Sequence, residues 1–492
     1  MTTLETAPSA STRPPARGRL GSHYIAGRDT EATGERVLEH TDPATGSASG
    51  STVAATSPEA TAAVDAAVAA GQAWRATSPS ERAAGLRKGA AAIRAIADEL
   101  AELLCASTGR LLGQCRESAG VAAELLEEAA VTGLVDAGRA LPGDASALDV
   151  VRRQPRGVVA VLTPWNDPYP AAAGLLAAAL ITGNTVVHKP SERSALPGWR
   201  MARALAGCLP AGVLNVLNGD GSTGAAVVGD ARVALVAHVG STASGRLVAA
   251  SAGARGARVL LENGGNDPLL VDEGVDPVWA AEQIALGAFT NTGQLCTSVE
   301  RVYLHQGVAD DVLQELVRIA QAMKVGPPSD QSTELGPLVD QDQLAVVESH
   351  VRSAVEAGAR CLTGGERLET PGCFYPPTVL DGCSDDMAVM ADETFGPVAA
   401  VSRVDTFTEA LERACSGRYG LAATVLTPDL AHALAAASAL DVGTVKINAV
   451  FGGAPGGSAD PRGDSGTGAG YGPDLLREMT VLKAVHLEPA RR

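Results

Sequence analysis

Between residues 57 and 140 the apolar positions recur at helical spacing. SPEATAAVDAAVAAGQAW opens with a Ser57 cap signal and Glu59 in its first turn, and predicts a helix. SPSERAAGLRKGAAAIRAIADELAELLCASTG repeats the signature and predicts a second helix that stops at Gly109. A third such pattern runs from about Glu117 to Val135. After about residue 148 the pattern changes. Short apolar runs rich in β-branched residues (GVVAVLTP, NTVVHKP, GVLNVLNG, VALVAHVG) alternate with helical stretches (YPAAAGLLAAALITG, LPGWRMARALAGCLP, GSTGAAVVGD, STASGRLVAASAG). Strand–helix alternation at this pitch predicts a doubly wound, mostly parallel sheet. A second alternating region begins near residue 265 with DPLLVD, PVWAAEQIALGAFTN, VERVYLH and VADDVLQELVRIAQAMKV, and continues to GTVKINAV. The expected class is therefore α/β, with two doubly wound α/β domains. Residues 451–472 are glycine-rich and without periodicity, and read as a long surface loop, a kind that is often functional.

A chain of 492 residues is too long for one core, which agrees with two domains. A net charge of −17 argues against nucleic acid or an anionic membrane as partner, and 3% aromatics offers few stacking platforms for bases. The first twenty residues carry Pro, Ser and Thr without an apolar core, and are expected to be a disordered tail rather than a signal peptide. The longest apolar run, residues 171–182, is too short to span a bilayer. Eight cysteines are scattered with no CxxC pair, and the eight histidines make no HExxH, so no metal site is expected and reduced thiols in the cytoplasm are. Only five lysines occur, which makes a lysine in an apolar context conspicuous.

In doubly wound sheets ligands bind beyond the carboxyl ends of the strands. Four such ends stand out: residues 163–167, 189–192, 219–224 and 240–245. Gly219, Gly221 and Gly224 spell G-x-G-x-x-G between a strand and a helix, suited to phosphate or simply to a tight turn. Gly240, Ser241 and Thr242 open the next helix, an anion cradle or a plain serine cap. Lys189 ends an apolar strand and Glu192 follows it; an acid there can accept the ribose hydroxyls of NAD and repel a 2′-phosphate, or can be a surface ion pair. In TPWNDP, the Asn166 amide suits a developing oxyanion, or an Asx-turn. Glu262, after an apolar strand and before two glycines, suits a general base if partly buried, or faces solvent. Cys296, in FTNTGQLCTSVE, suits a nucleophile whose thiolate is favoured by positive dipoles, or a small filler. Thiol, carboxylate, amide and nucleotide cradle together suit covalent oxidation of an aldehyde by NAD.

With PWN, KPSE, GST, ENGG, GQLC and ETFGPV in place, the chain resembles the NAD(P)-dependent aldehyde dehydrogenase superfamily from residue 42 to its C-terminal strand. The resemblance implies Cys296 as nucleophile, Asn166 with the Cys296 N–H as oxyanion hole, and Glu262 as the base that activates hydrolytic water. It implies cofactor contacts from Thr163, Trp165, Lys189, Ser191, Glu192, Gly221, Gly240 and Ser241, with Glu393 on the nicotinamide ribose and Phe395 against the nicotinamide. It also implies a cofactor domain of residues 21–136 and 156–264, a Rossmann variant, and a catalytic domain of residues 265–475. Residues 137–155 and 476–492 would form a small β element that joins a homodimer or homotetramer.

Departures from the family pattern fall at the substrate tunnel. Asp167 follows Asn166 where an aromatic residue is common, Gly174 replaces a large residue, Asn263 replaces the usual Leu, and residues 451–472 offer Arg462 and Asp464. With Leu295 and Thr297 beside the cysteine, these suggest a roomier, more polar tunnel. Asp167 would suit an amino- or hydroxy-aldehyde, and Arg462 a carboxylate or phosphonate. The alternatives are an NADP preference, a coenzyme A-acylating enzyme (against which Glu262 argues) and a catalytically silent relative.

Overall fold

The computed structural model describes residues 19–490 except 21, 136–137, 145 and 454–455; most of the expected tail lies outside the described residues. Five parallel strands form the centre of the first domain: β1 (Val158–Thr163), β2 (Thr185–Pro190), β3 (Leu214–Val216), β4 (Val233–Val239) and β5 (Arg258–Glu262). They lie in the order β5-β4-β1-β2-β3. Every residue of β1 is buried because helices cover both faces of the sheet, and a strand with no wet side must be apolar throughout. Val159 and Val161 pack with Leu86, Ile93, Leu104, Leu126 and Leu176 on one face. Val158, Ala160 and Leu162 pack with Val64, Ala67 and Val236 on the other.

The first face is covered by α2 (Pro79–Ala95), α3 (Ala97–Thr108), α4 (Leu112–Thr132) and others; α1 (Ser57–Ala76) lies across the second. Two expectations are corrected here. The cap of α1 is Thr56, one residue earlier than Ser57, in a reciprocal capping box with Glu59. The stretch expected as one helix up to Gly109 breaks at Ile96 (φ −118°, ψ 18°), and the bend lets Leu100 and Leu104 join the same core as Leu86 and Ile93.

The second domain has six parallel strands, β6 (Asp267–Val271), β7 (Val299–His305), β8 (Thr378–Asp381), β9 (Val398–Val404), β10 (Ala422–Leu426) and β11 (Thr444–Ile447), in the order β8-β9-β7-β6-β10-β11. Arg360–Thr363 adds an antiparallel edge to β8. A separate antiparallel sheet joins Thr480–Leu487, Leu148–Pro155 and Gly138–Ala140. The later part of the expected surface loop is tied into the fold: Gly466–Thr467 pairs with the end of β5, and Ser465 is fully buried, donating to Gly264 O and accepting from Gly420 N–H. Among the described residues no helix is long and apolar enough to cross a membrane.

Candidate active site

Cys296 stands on a tight turn between the helix Pro277–Phe289 and β7. Asn291, Thr292 and Gly293 all have positive φ (52°, 59° and 70°), a run that L-residues adopt only when held. The hold comes from Gln294: its side chain accepts from Val339 N–H at 2.9 Å and donates to Asn291 O at 3.1 Å. Ser298 closes the turn, accepting from Leu295 N–H and donating to Gly293 O. Leu295 and Thr297 therefore flank a projecting Cys296, which is open to solvent. Its N–H has no acceptor among the described residues.

β1 delivers Asn166 to this turn. The Asn166 amide donates one hydrogen to Gln294 O at 2.9 Å, which fixes the side chain and leaves its second N–H for another acceptor. Arg110 and Asn291 donate to the Asn166 carbonyl, so the segment is held from both ends. Glu262, the last residue of β5, accepts from Gly470 N–H at 3.0 Å. Burial pushes its carboxyl up to about 8, with the Gly470 N–H opposing and Asp460 reinforcing. Glu393 accepts from Gly265 N–H at 3.0 Å and is raised by burial and by Glu300.

Although the residue keeps a solvent-open side, the protein packed around the thiol desolvates it and pushes it up to about 12, with Asp267, Glu262, Glu393 and Asp167 reinforcing the shift. The sequence reading expected positive dipoles to favour the thiolate. The surroundings do the reverse, so the thiol keeps its proton until a base takes it.

The cofactor candidates gather at the ends of β1, β2 and β4. Lys189 is buried and donates to Pro190 O, Gly219 O and Glu192. Ser191 caps the turn that carries Glu192. Thr163 bonds His188 at 3.0 Å. Ser241, exposed beyond Gly240, caps the helix Thr242–Gly253 by accepting from Ser244 N–H, and a helix start of this kind suits an anion. A Cβ at Gly221 would meet open space, leaving room along that edge. Trp165 meets Phe395 edge-on at 5.6 Å, and Phe395 is held at φ 52° by Glu300, which accepts from its N–H at 2.7 Å. An exposed capped helix start, a buried ammonium and an uncovered glycine edge fit a dinucleotide.

Two tunnel candidates are engaged elsewhere. Asp167 pairs with Arg110 at 2.9 Å and accepts from Ser118 at 2.6 Å, so its charge is already compensated. Arg462 pairs with Asp441 and donates to Asp460 O. Asp464 pairs with Arg246 and Arg418. Sequence reasoning passed over Asp267, Arg110 and Lys446. The last had a visible signal: one of five lysines, set inside an apolar strand.

A sequence profile described as the aldehyde dehydrogenase family matches residues 30–485. A vanillin dehydrogenase of Amycolatopsis sp. (strain ATCC 39116 / 75iv2) is 37% identical over 443 residues, covering 88% of this chain and 89% of that protein. The NAD-dependent aldehyde dehydrogenase of Sinorhizobium meliloti superposes with a TM-score of 0.94 at 31% identity, covering 99% of this chain and 98% of the other. An NADP-dependent enzyme of Escherichia coli superposes at 0.92 with 30% identity, covering 96% and 98%. The chain belongs to the aldehyde dehydrogenase family, oxidoreductases that act on aldehydes with a nicotinamide cofactor.

Proposed function

We propose that this protein oxidises a functionalised aldehyde to its carboxylic acid with NAD, through a thioester on Cys296. The observation that carries the reading is the convergence of the Cys296 thiol with the Glu262 carboxyl, beside an Asn166 amide tied to the same turn. Glu262 takes the thiol proton, and the thiolate attacks the aldehyde carbon. The resulting oxyanion sits between the free Asn166 N–H and the Cys296 N–H. When bound, the nicotinamide accepts hydride. Glu262 passes the thiol's proton on to solvent, and the thioester left on Cys296 is then attacked by a water that loses its proton to the free Glu262 carboxylate, which releases the acid and restores the thiolate.

Lys189, Ser191 and Glu192 would hold the adenosine ribose, Thr163, Trp165, Gly221, Gly240 and Ser241 the diphosphate region, and Glu393 and Phe395 the nicotinamide end. Glu192 favours NAD over NADP because its carboxylate opposes a 2′-phosphate. The vanillin dehydrogenase relative supports an aromatic aldehyde among the substrates. The pairing of Asp167 with Arg110 counts against an amino-aldehyde. Eight free cysteines suit a reducing cytoplasm.

Reduced-cofactor formation is measured with NAD and with NADP over vanillin, benzaldehyde, semialdehydes, amino-aldehydes and phosphono-aldehydes. Wild type is expected to turn over with NAD as the better cofactor, and Cys296→Ser to lose about a thousandfold or more in kcat/KM. A Cys296→Ser protein that keeps full turnover sinks the mechanism.

A further inference from the structure

Strand β11 alternates two faces. Val445 and Ile447 pack into the core of the second domain, so Thr444 and Lys446 face the other way. On that side Thr444 shares a 3.0 Å hydrogen bond with the Tyr471 hydroxyl, and the Lys446 ammonium stands 5.7 Å from the centre of the Phe451 ring. Tyr471 directly follows Gly470, whose N–H holds Glu262. Lys446 is within electrostatic reach of both the Cys296 thiol and Asp267. Asp267 and the Cys296 carbonyl both crowd Gly265, which puts them side by side. The polar face of β11 thus looks onto the ground between nucleophile and base, with Phe451 and Tyr471 exposed beside it.

Lys446 is half-buried and has no hydrogen-bond acceptor or ion-pair partner among the described residues. The contrast with Lys189 is instructive: that ammonium, also buried, meets two carbonyls and a carboxylate. Removing an ammonium from water without an acceptor is unfavourable, and a cation–π contact at this range is too weak to replace one. The neighbouring acids do not close the account. Asp267 is held near 8 by burial, so it is mostly protonated at neutral pH, and Asp167 belongs to Arg110.

We propose that Lys446 is the specificity-determining residue of this site: its ammonium pairs with an anionic oxygen, carboxylate or phenolate, at the end of the substrate remote from the aldehyde, with Phe451 and Tyr471 flanking the substrate body. The proposal rests on the reading that Cys296 attacks an aldehyde. Because Glu262 and Asp267 carry protons for much of the time at neutral pH, an anion entering here meets a cation without a matching wall of negative charge.

The test compares matched aldehydes: benzaldehyde against para-carboxybenzaldehyde and para-hydroxybenzaldehyde, and butanal against succinic semialdehyde. Wild type, Lys446→Met, Lys446→Gln and Lys446→Arg are measured, after thermal melts establish which variants are folded. Wild type is expected to prefer an anionic member of a pair. Lys446→Met or Lys446→Gln should cut the anionic-to-neutral ratio of kcat/KM about tenfold or more, chiefly through KM, the scale of one charge-assisted hydrogen bond. Lys446→Arg should keep most of it. A preference confined to the carboxylates or to the phenol identifies which oxygen is read. An unchanged ratio in the neutral variants, with neutral aldehydes still oxidised, overturns the role of Lys446 and leaves the enzyme assignment standing. Equal losses on anionic and neutral aldehydes, with a shifted pH profile for alkylation of Cys296 by iodoacetamide, overturn it in favour of an action on the thiol. If wild type oxidises no aldehyde at all, the enzyme reading fails first and the proposal with it.

Discussion

At the scale of single residues, the chemistry depends on proton affinities that only the folded surroundings set. Glu262 reads in the sequence as an acid at the end of an apolar run, and the fold turns it into a carboxyl near 8. A general base works only when deprotonated, so thioester hydrolysis should quicken as pH rises through about 8, and slow about tenfold per pH unit well below it. Glu262→Gln should lower the steady-state rate by about a hundredfold or more, flatten this dependence and slow the first turnover of NADH as well, because the same carboxyl takes the thiol proton. A variant that keeps the wild-type pH profile would assign the titration to another acid, with Asp267 and Glu393, both raised to about 8, the candidates. Residue types and local pattern singled out Cys296, Glu262 and Asn166 as candidates, each with a bland alternative, and only the family resemblance attached roles to them. The direction of the Cys296 shift was not legible, because it depends first on how deeply the surrounding protein desolvates the thiol, and then on acids such as Asp267 that the fold brings to it from β6. The Asp441 partner of Arg462 was equally invisible, because nothing in a glycine-rich stretch tells which acid a guanidinium will meet.

At the scale of elements, periodicity found the parallel strands of the first sheet and β6, β7 and β11 of the second, but it left β8, β9, β10 and the helices between them unassigned and did not show how elements end. The break at Ile96 interrupts an unbroken helical pattern, and tertiary packing of Leu100 decides it; Tyr169 also donates to the Leu100 carbonyl at 2.7 Å. The cysteine turn is the sharper example. FTNTGQL has the small and polar residues of a loop, yet three successive left-handed residues are legible only where a glycine marks one of them. Gly293 has a second constraint, since a Cβ there would overlap the carbonyl of Gly396, next to Phe395. Gly293→Ala should therefore cost about 1–2 kcal/mol for the left-handed conformation alone. The contact must also be relieved by moving the turn that aims Cys296. Thermal unfolding should show a lower Tm, and kcat/KM should fall further than stability accounts for. Wild-type kcat/KM in a folded Gly293→Ala protein would mean that the turn does not set the position of the thiol.

At the scale of the whole molecule, one surface is poorly explained by a single chain. Thr480–Leu487 forms the outer strand of the separate three-stranded sheet, eight residues long and unpaired on its far side among the described residues. It exposes Val481, Leu482 and Leu487, and Leu148 of the neighbouring strand is exposed as well. Long apolar edges invite pairing, and soluble proteins usually cover or charge them. A second copy of the chain is the cover we propose, in line with the dimer or tetramer that the family resemblance implies. The strand lies beside the core without belonging to it, whereas Leu475 and Met479 just before it are buried in the first domain. Charges on the strand should therefore disrupt assembly before they disrupt folding. Light scattering coupled to gel filtration is expected to give a dimer or tetramer for wild type. Leu482→Asp combined with Leu487→Asp should shift the mass toward the 49.7 kDa of one chain. A wild-type mass of one chain, or a double variant that still assembles with unchanged affinity, would show that this edge is not the interface.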